Sequence, residues 1–272
     1  MSLSRNRNKS KTKLTKKKSH KSYSESYSIN LNNNNKIIDK NVVILNGFMI
    51  KVYDTVKQIT IKVGNKSIDC ILLNIDKTNL STAELNQFNF HNSCNIYKNV
   101  DRISGTKNMM NTLLQFIKSN YKSIKNICLI DSALYNCSKK DNFKSAFSLY
   151  DLYLFKYNST YYTYNYGFKF YDENDTISHN ENIELIKDYK IDKLELEKFL
   201  KMKGKNIKVS SIDNDINELI LNINDDELAI SFIKRFKFDE NTCYLMKYFF
   251  EFIRETLDNY KTLNGSYYIL DI

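Results

Sequence analysis

The first regular hydrophobic pattern in the chain is Gln58-Ile59-Thr60-Ile61-Lys62-Val63, where polar and apolar residues alternate. That period of two predicts a strand with one face buried. Val63-Gly64-Asn65-Lys66 follows as a turn signal, and Ile68 to Ile75 supplies a returning strand. Two apolar runs, Asn41–Leu45 and Phe48–Tyr53, precede this hairpin. The pattern therefore predicts an antiparallel meander of three or four strands. Leu80–Leu85 reads as a short helix. Asn86–Val100 is mixed, with a strand expected around Cys94–Tyr97.

The period then changes. From Lys107 to Tyr121, Met109, Met110, Leu113, Leu114, Phe116, Ile117 and Tyr121 make one helical stripe. The two methionines read as core gap-fillers. Ile127–Ile130 is a continuous β-compatible run, which predicts a central strand covered on both faces. Cys128 within it reads as a small buried hydrophobe. A helix follows, ending near Tyr157, with Ala146, Leu149, Leu152 and Tyr153 on one side and Asp141 or Asn142 as its cap. The segment closes on the aromatic turn Tyr161–Phe168, read as a tyrosine-rich strand pair. Lysine is sparse there, which argues against base stacking.

The C-terminal hundred residues read as mostly helical. Asp192-Lys193-Leu194-Glu195 starts a helix in capping-box style, running to about Met202, and Gly204 suits its stop. Ile212–Leu221, Asp225–Phe236 and Asn241–Asn259 are further helices. The fold class is thus α/β or α+β: a mixed sheet flanked by helices. Three segments are expected: an arm (1–35), an α/β domain (36–175) and a helical C-terminal extension (176–272).

Charge refines the arm. The net charge of +10 is concentrated in residues 1–35, which hold nine Lys/Arg and a single acid, Glu25. With so few large apolar groups, this segment is expected to be disordered. It reads either as a nuclear-targeting or nucleic-acid-binding arm centred on Lys16-Lys17-Lys18, or as a solubilising tail. The rest of the chain is nearly neutral, which argues against a nucleic-acid footprint on the folded part. Five cysteines in no C-x-x-C pair and three scattered histidines give no metal-ligand spacing. Free thiols in a reducing compartment are expected. With no apolar run of membrane length and no signal-peptide core, an intracellular protein is expected. Absence of proline and abundance of Lys, Asn, Ile and Tyr suggest an AT-rich genome.

The candidate chemistry centres on Asp101-Arg102-Ile103-Ser104-Gly105-Thr106, read as a loop opening the helix at Lys107. Such a loop can hold phosphate, because backbone N–H groups are unpaired at a helix start and the helix dipole favours an anion. Gly105 allows close approach, Ser104 and Thr106 can donate, and Arg102 and Lys107 add positive charge. An ordinary helix start fits these residues as well.

The order of meander, Arg-x-x-Gly loop, helix, strand, helix and Tyr-rich turn with Gly167-Phe168 resembles the GNAT superfamily of acyl-CoA-dependent N-acyltransferases. The resemblance covers about residues 40–170. The run from Thr160 to Phe168 also looks like GNAT-like proteins of large DNA viruses. The resemblance implies that Arg102, Ser104, Gly105, Thr106 and Lys107 hold the pyrophosphate of acetyl-CoA. The family loop is Q/R-x-x-G-x-G/A, so Lys107 stands where a second small residue belongs; it either obstructs the pyrophosphate or contacts it. The implied chemistry is acetyl transfer to an amine. Strand-end N–H groups would polarise the thioester carbonyl, a carboxylate would deprotonate the amine through water, and Tyr162 or Tyr164 would protonate the leaving thiolate. Asp131 is the carboxylate at the end of the central strand, although the resemblance does not single it out and a strand terminus explains it too. The alternative is a non-catalytic GNAT-like structural or interaction protein, in a virion or host cytoplasm if viral, associated with nucleic acid or the nucleus through its arm.

Overall fold

Burial on the N-terminal side follows one rule in the computed structural model, which describes residues 36–39, 41–89, 92–96, 102–137, 145–237, 239 and 242–272: alternate residues point inward. Strands β1 (Lys36–Asp39), β2 (Val42–Leu45), β3 (Phe48–Asp54), β4 (Gln58–Gly64), β5 (Asp69–Asp76) and β6 (Thr82–Phe88) form an antiparallel meander. Its β4–β5 turn is built by Asn65, whose side-chain oxygen accepts from the N–H groups of Ser67 (2.7 Å) and Ile68 (2.8 Å). Gly64 is required there, because a Cβ would lie 2.1 Å from the Ile68 carbonyl oxygen.

Helix α1 (Arg102–Asn120) carries the chain to β7 (Asn126–Ile130), which pairs with β6 in parallel. A small ribbon of β8 (Leu134–Asn136) and β9 (Ala146–Ser148) follows, then α2 (Leu149–Tyr157), α3 (Tyr161–Tyr166) and β10 (Lys169–Phe170). Five helices come next: α4 (Glu173–Lys187), α5 (Lys193–Gly204), α6 (Ile212–Leu221), α7 (Ala229–Arg235) and α8 (Met246–Thr256). The chain then returns to the sheet as β11 (Tyr267–Asp271), which lies between β7 and β10. The nine-stranded order is β1-β2-β3-β4-β5-β6-β7-β11-β10.

Cross-strand register builds the first core. Ile61 faces Leu73, Leu73 faces Leu85, Leu85 faces Leu129, and Leu129 faces Tyr268. This row lies on one sheet face, and α1 covers that face with Met109, Met110, Leu113 and Ile117. By alternation, the other face carries Lys51 and Lys62, both 2.9 Å from Asp69, and Thr60 bonded to Asn74. A second core gathers α2 and the five later helices around Phe155, Phe232, Phe249 and Phe250.

The mixed α/β class stands, but several expectations need correction. Leu80–Leu85 is not a helix: Thr82–Phe88 is a strand, with Ala83 and Leu85 inward and Glu84 outward. Asn92–Cys94 is a 3-10 turn instead of a strand. The helix expected from Lys107 begins at Arg102, so Ser104, Gly105 and Thr106 are helical and not loop residues. Tyr161–Tyr166 is a short helix capped by Thr160 and by Gly167 at φ +78°. Ser148, not Asp141 or Asn142, caps α2 through a bond to the Tyr150 N–H; Asp141 and Asn142 lie outside the described residues. The segment expected over 176–272 is not purely helical, since β11 completes the sheet. β7 is covered on one face only: Cys128 is half-buried and Ile130 half-exposed. The cysteines are not all free thiols, because Cys70 bridges Cys94 and Cys137 bridges Cys243. The basic arm, with its expected disorder and nucleic-acid contacts, lies outside the described residues. No helix among those described is long and apolar enough to cross a membrane.

Candidate functional site

The sheet changes character at one seam. Every strand pairing in it is antiparallel except β6 with β7. That pairing runs from Thr82↔Asn126 to Leu85↔Leu129 and stops. At that point the β5 register jumps: Leu73 faces Leu85, Leu72 faces Gln87, and Asn86 is the extra residue of a bulge. Bulges bend a strand and re-aim its side chains. The carboxyl ends of β6 and β7 therefore separate, and ligands in α/β sheets favour such switch points.

A cleft of about 520 Å³ opens between the two strand ends. Asn86, Gln87, Phe88 and Asn89 line one side, and Leu129, Ile130 and Ser132 the other. Ala133, Leu134 and Asn136 form a third wall with β8, and Thr106, Tyr161 and Tyr162 also line the cleft. None of these described lining residues is charged. Carboxamides, hydroxyls and apolar groups alternate around the cleft.

The crossover from β6 to β7 is right at this mouth because α1 must start near the end of β6 to return alongside it. The first backbone N–H groups of α1 have no intrahelical partner. No acidic residue lies in its first turn. Of the five residues expected to hold pyrophosphate, Arg102 opens the helix, Gly105 is buried, and Thr106 is half-buried and lines the cleft. Ser104 and Lys107 are exposed and do not line it.

The three residues expected to be catalytic separate in space. Tyr162 is buried, packs against Phe168 and Tyr268, and reaches the cleft. Burial, and then the negative charge of Asp131, push its phenol well above the ordinary value. Asp131 lies behind the lining, only 2% exposed. Its Oδ1 accepts from the Ala133 N–H at 2.9 Å, while Oδ2 is buried without a hydrogen-bond partner among the described residues. Burial raises its carboxyl to about 6. Tyr164 stands apart: it is half-exposed and stacks on Tyr157 with ring centroids 4.2 Å apart, outside the cleft.

Two contributors escaped sequence reasoning. Tyr161 lines the cleft, with its hydroxyl 3.4 Å from that of Tyr166. Asn86 escaped because a bulge leaves no periodic trace, and it opens the mixed segment Asn86–Val100, just past the helix expected over Leu80–Leu85. Among the described residues, no group of three or more His, Cys, Asp or Glu side chains is placed to hold a metal ion. No protein-family model matches the chain, and neither the curated proteins nor the solved structures contain a match.

Proposed function

We propose that the chain is a GNAT-like acyltransferase that moves an acetyl group from acetyl-CoA to an amine. The observation that carries this reading is the cleft at the single parallel seam of the sheet, with the start of a crossover helix at its mouth. A thioester on an extended, amide-bearing arm suits such a place. Past Leu85 the edge of β6 that faced β7 has no ladder partner among the described residues, and amides of a ligand can pair with such an edge. The uncharged lining suits the neutral arm. The positive end of the α1 dipole, with Arg102 in its first turn and no acidic residue there, suits a phosphate group.

When bound, acetyl-CoA supplies an acyl group activated as a thioester. The chain's own residues then have separate tasks. Backbone N–H groups at the bulged end of β6 polarise a carbonyl placed between the strands. Tyr162 stays protonated at neutral pH, so it holds a proton at its Oη for a departing thiolate. Asp131, with its carboxyl raised to about 6, is largely ionised at neutral pH and accepts a proton through solvent. Lys107, exposed on the second turn of α1, neither blocks the cleft nor lines it.

The test is coenzyme-dependent thiol release across a panel of amines: polyamines, amino sugars and lysine peptides. Release that falls about 100-fold in Tyr162→Phe, and stays unchanged in Tyr164→Phe, supports the assignment. No release with any amine, together with no binding of acetyl-CoA, would sink it.

A further inference from the structure

Each of the two cystine bridges lies next in sequence or in the ladder to a different wall of the cleft, without lining it. Cys70 lies in β5, and Cys94 in the turn that follows β6. Around this bridge the Asn89 N–H donates to the Cys70 carbonyl at 2.8 Å and the Ile96 N–H to the Gly47 carbonyl at 2.9 Å. The Asn65 side-chain amide donates to the Ser93 carbonyl. The bridge thus anchors the segment that leaves the bulged end of β6 towards α1. Cys137 directly follows β8, whose Leu134 and Asn136 form the third wall, and it joins Cys243 immediately before α8. Nearby, the Ser145 hydroxyl donates to the Tyr244 carbonyl at 3.2 Å, and Phe147 packs on Phe250.

Both walls are short segments. β8 and β9 are three residues each, and an isolated two-stranded ribbon is marginal in water. The other wall is the end of β6 past the bulge, where Gln87 and Phe88 pair with β5 on one side and the β7 pairing has stopped. The interior strands β3 and β4 have ladders on both sides and an apolar face under α1, and neither holds a bridged cysteine. Cys128, the free cysteine among the described residues, lies in β7 and lines no part of the cleft.

We propose that the cleft is redox-assembled: both walls come into place only in the doubly bridged chain, which acts where a low-molecular-weight disulfide is present, and which a thiol reductant opens. Each bridge forms by thiol–disulfide exchange. One protein thiolate attacks the small disulfide and expels a small thiolate, giving a mixed disulfide. The second protein thiolate attacks that bond and expels the other small thiolate. Two protein thiols have then lost two protons and two electrons, and the small disulfide has become two thiols. Reduction runs the same steps in reverse. The proposal concerns the walls and holds whichever ligand fills the cleft.

The experiment equilibrates the full chain in graded mixtures of reduced and oxidised glutathione. Thiols are counted by alkylation and mass spectrometry, and hydrogen exchange is read on the same samples. At the oxidised end one thiol, Cys128, is expected. On reduction, exchange at Asn86–Asn89 and Leu134–Asn136 should quicken about ten-fold or more, while Ile59–Val63 stays protected. Cys94→Ser should loosen only the first wall, Cys243→Ser only the second, and Cys128→Ser neither. Should a variant fail to fold, titration of the unaltered chain still decides. Five thiols at the oxidised end, or unchanged exchange in both walls after full reduction, overturns the proposal. Parallel addition of acetyl-CoA keeps the two ideas apart: redox-dependent walls without binding would remove the coenzyme reading alone.

Discussion

The sheet and the helical region bury their residues by different means. The sheet core is largely apolar, with Asp131 buried at its margin, and rests on alternation, strand ladders and one covering helix. The helical core contains charged and amide groups with named partners. Asp151 takes the Arg254 guanidinium at 2.6 Å and the Tyr260 hydroxyl at 2.8 Å. Asn182 donates to the Tyr150 hydroxyl (3.0 Å) and the Lys261 carbonyl (2.8 Å), and accepts from the Lys261 N–H (2.9 Å). Asp215 accepts from Tyr244 and Ser211. The difference follows from connectivity. Strands have ladders to set their register, whereas α4–α8 leave at β10 and return at β11 with a single bridge, Lys190 with Leu228, among their described residues. Apolar contact has no direction, so buried polar anchors supply it.

The sharpest way to break this comparison is covalent. Cys243→Ser opens a bridge spanning 106 residues, and Cys94→Ser one spanning 24. Chain entropy alone predicts losses of about 4–5 and about 3 kcal/mol, measured by urea denaturation under oxidising conditions. Near-equal losses would mean that the long bridge does not secure the helical region. Next in size is Arg254→Ala, which leaves Asp151 buried without its cation and should cost about 3 kcal/mol or more. The double change Arg254→Met with Asp151→Leu should recover most of that stability while broadening the spectra of the helical region. Sharp spectra in the double variant would contradict a directing role for the anchor.

Acid titration separates the two regions by sign. The Asp131 carboxyl, at about 6 when folded against 3.8 ordinarily, holds an extra proton in the folded state between those values. Its contribution is full below about 3.8 and is lost as pH rises through 6. His179 runs the other way: burial lowers its ring from 6.5 to about 4, so its contribution is full above 6.5 and lost as pH falls through 4. The magnitudes are about 3 kcal/mol for Asp131 and about 2 for His179, whose ring is less deeply buried. Denaturation between pH 4 and 7 should therefore show partial cancellation. Asp131→Asn should leave a stability that climbs with pH, and His179→Gln one that declines. Parallel profiles in the two variants would refute the opposed signs. The smallest effect is at Tyr164, an exposed ring outside both cores, where Tyr164→Phe should stay within about 0.5 kcal/mol.

What could be read from the chain follows the same division. β3, β4 and β5 were legible because alternation is a local property. Helix α5 is legible from its cap, since the Glu195 N–H does donate to Asp192 Oδ1 at 3.0 Å. Thr82–Phe88 was misread because Ala83-Glu84-Leu85 suits either period over so few residues. The return of β11, the bulge at Asn86 and both cystine pairings depend on residues far apart in sequence, which no local pattern encodes. The candidate site was half legible for a geometric reason. In the expected strand, Tyr162 and Tyr164 would share a face. In the observed helix, residues two apart diverge by about 200°, so one enters the cleft and the other leaves it.

The central claim is that the seam between β6 and β7 is a coenzyme site. Its most direct test is calorimetric titration of acetyl-CoA into the oxidised full chain, beside Ala133→Trp, which fills the cleft from its lining. Micromolar binding in the unaltered chain that disappears in the variant is the predicted result. No heat at millimolar acetyl-CoA, or equal binding by both proteins, would contradict it.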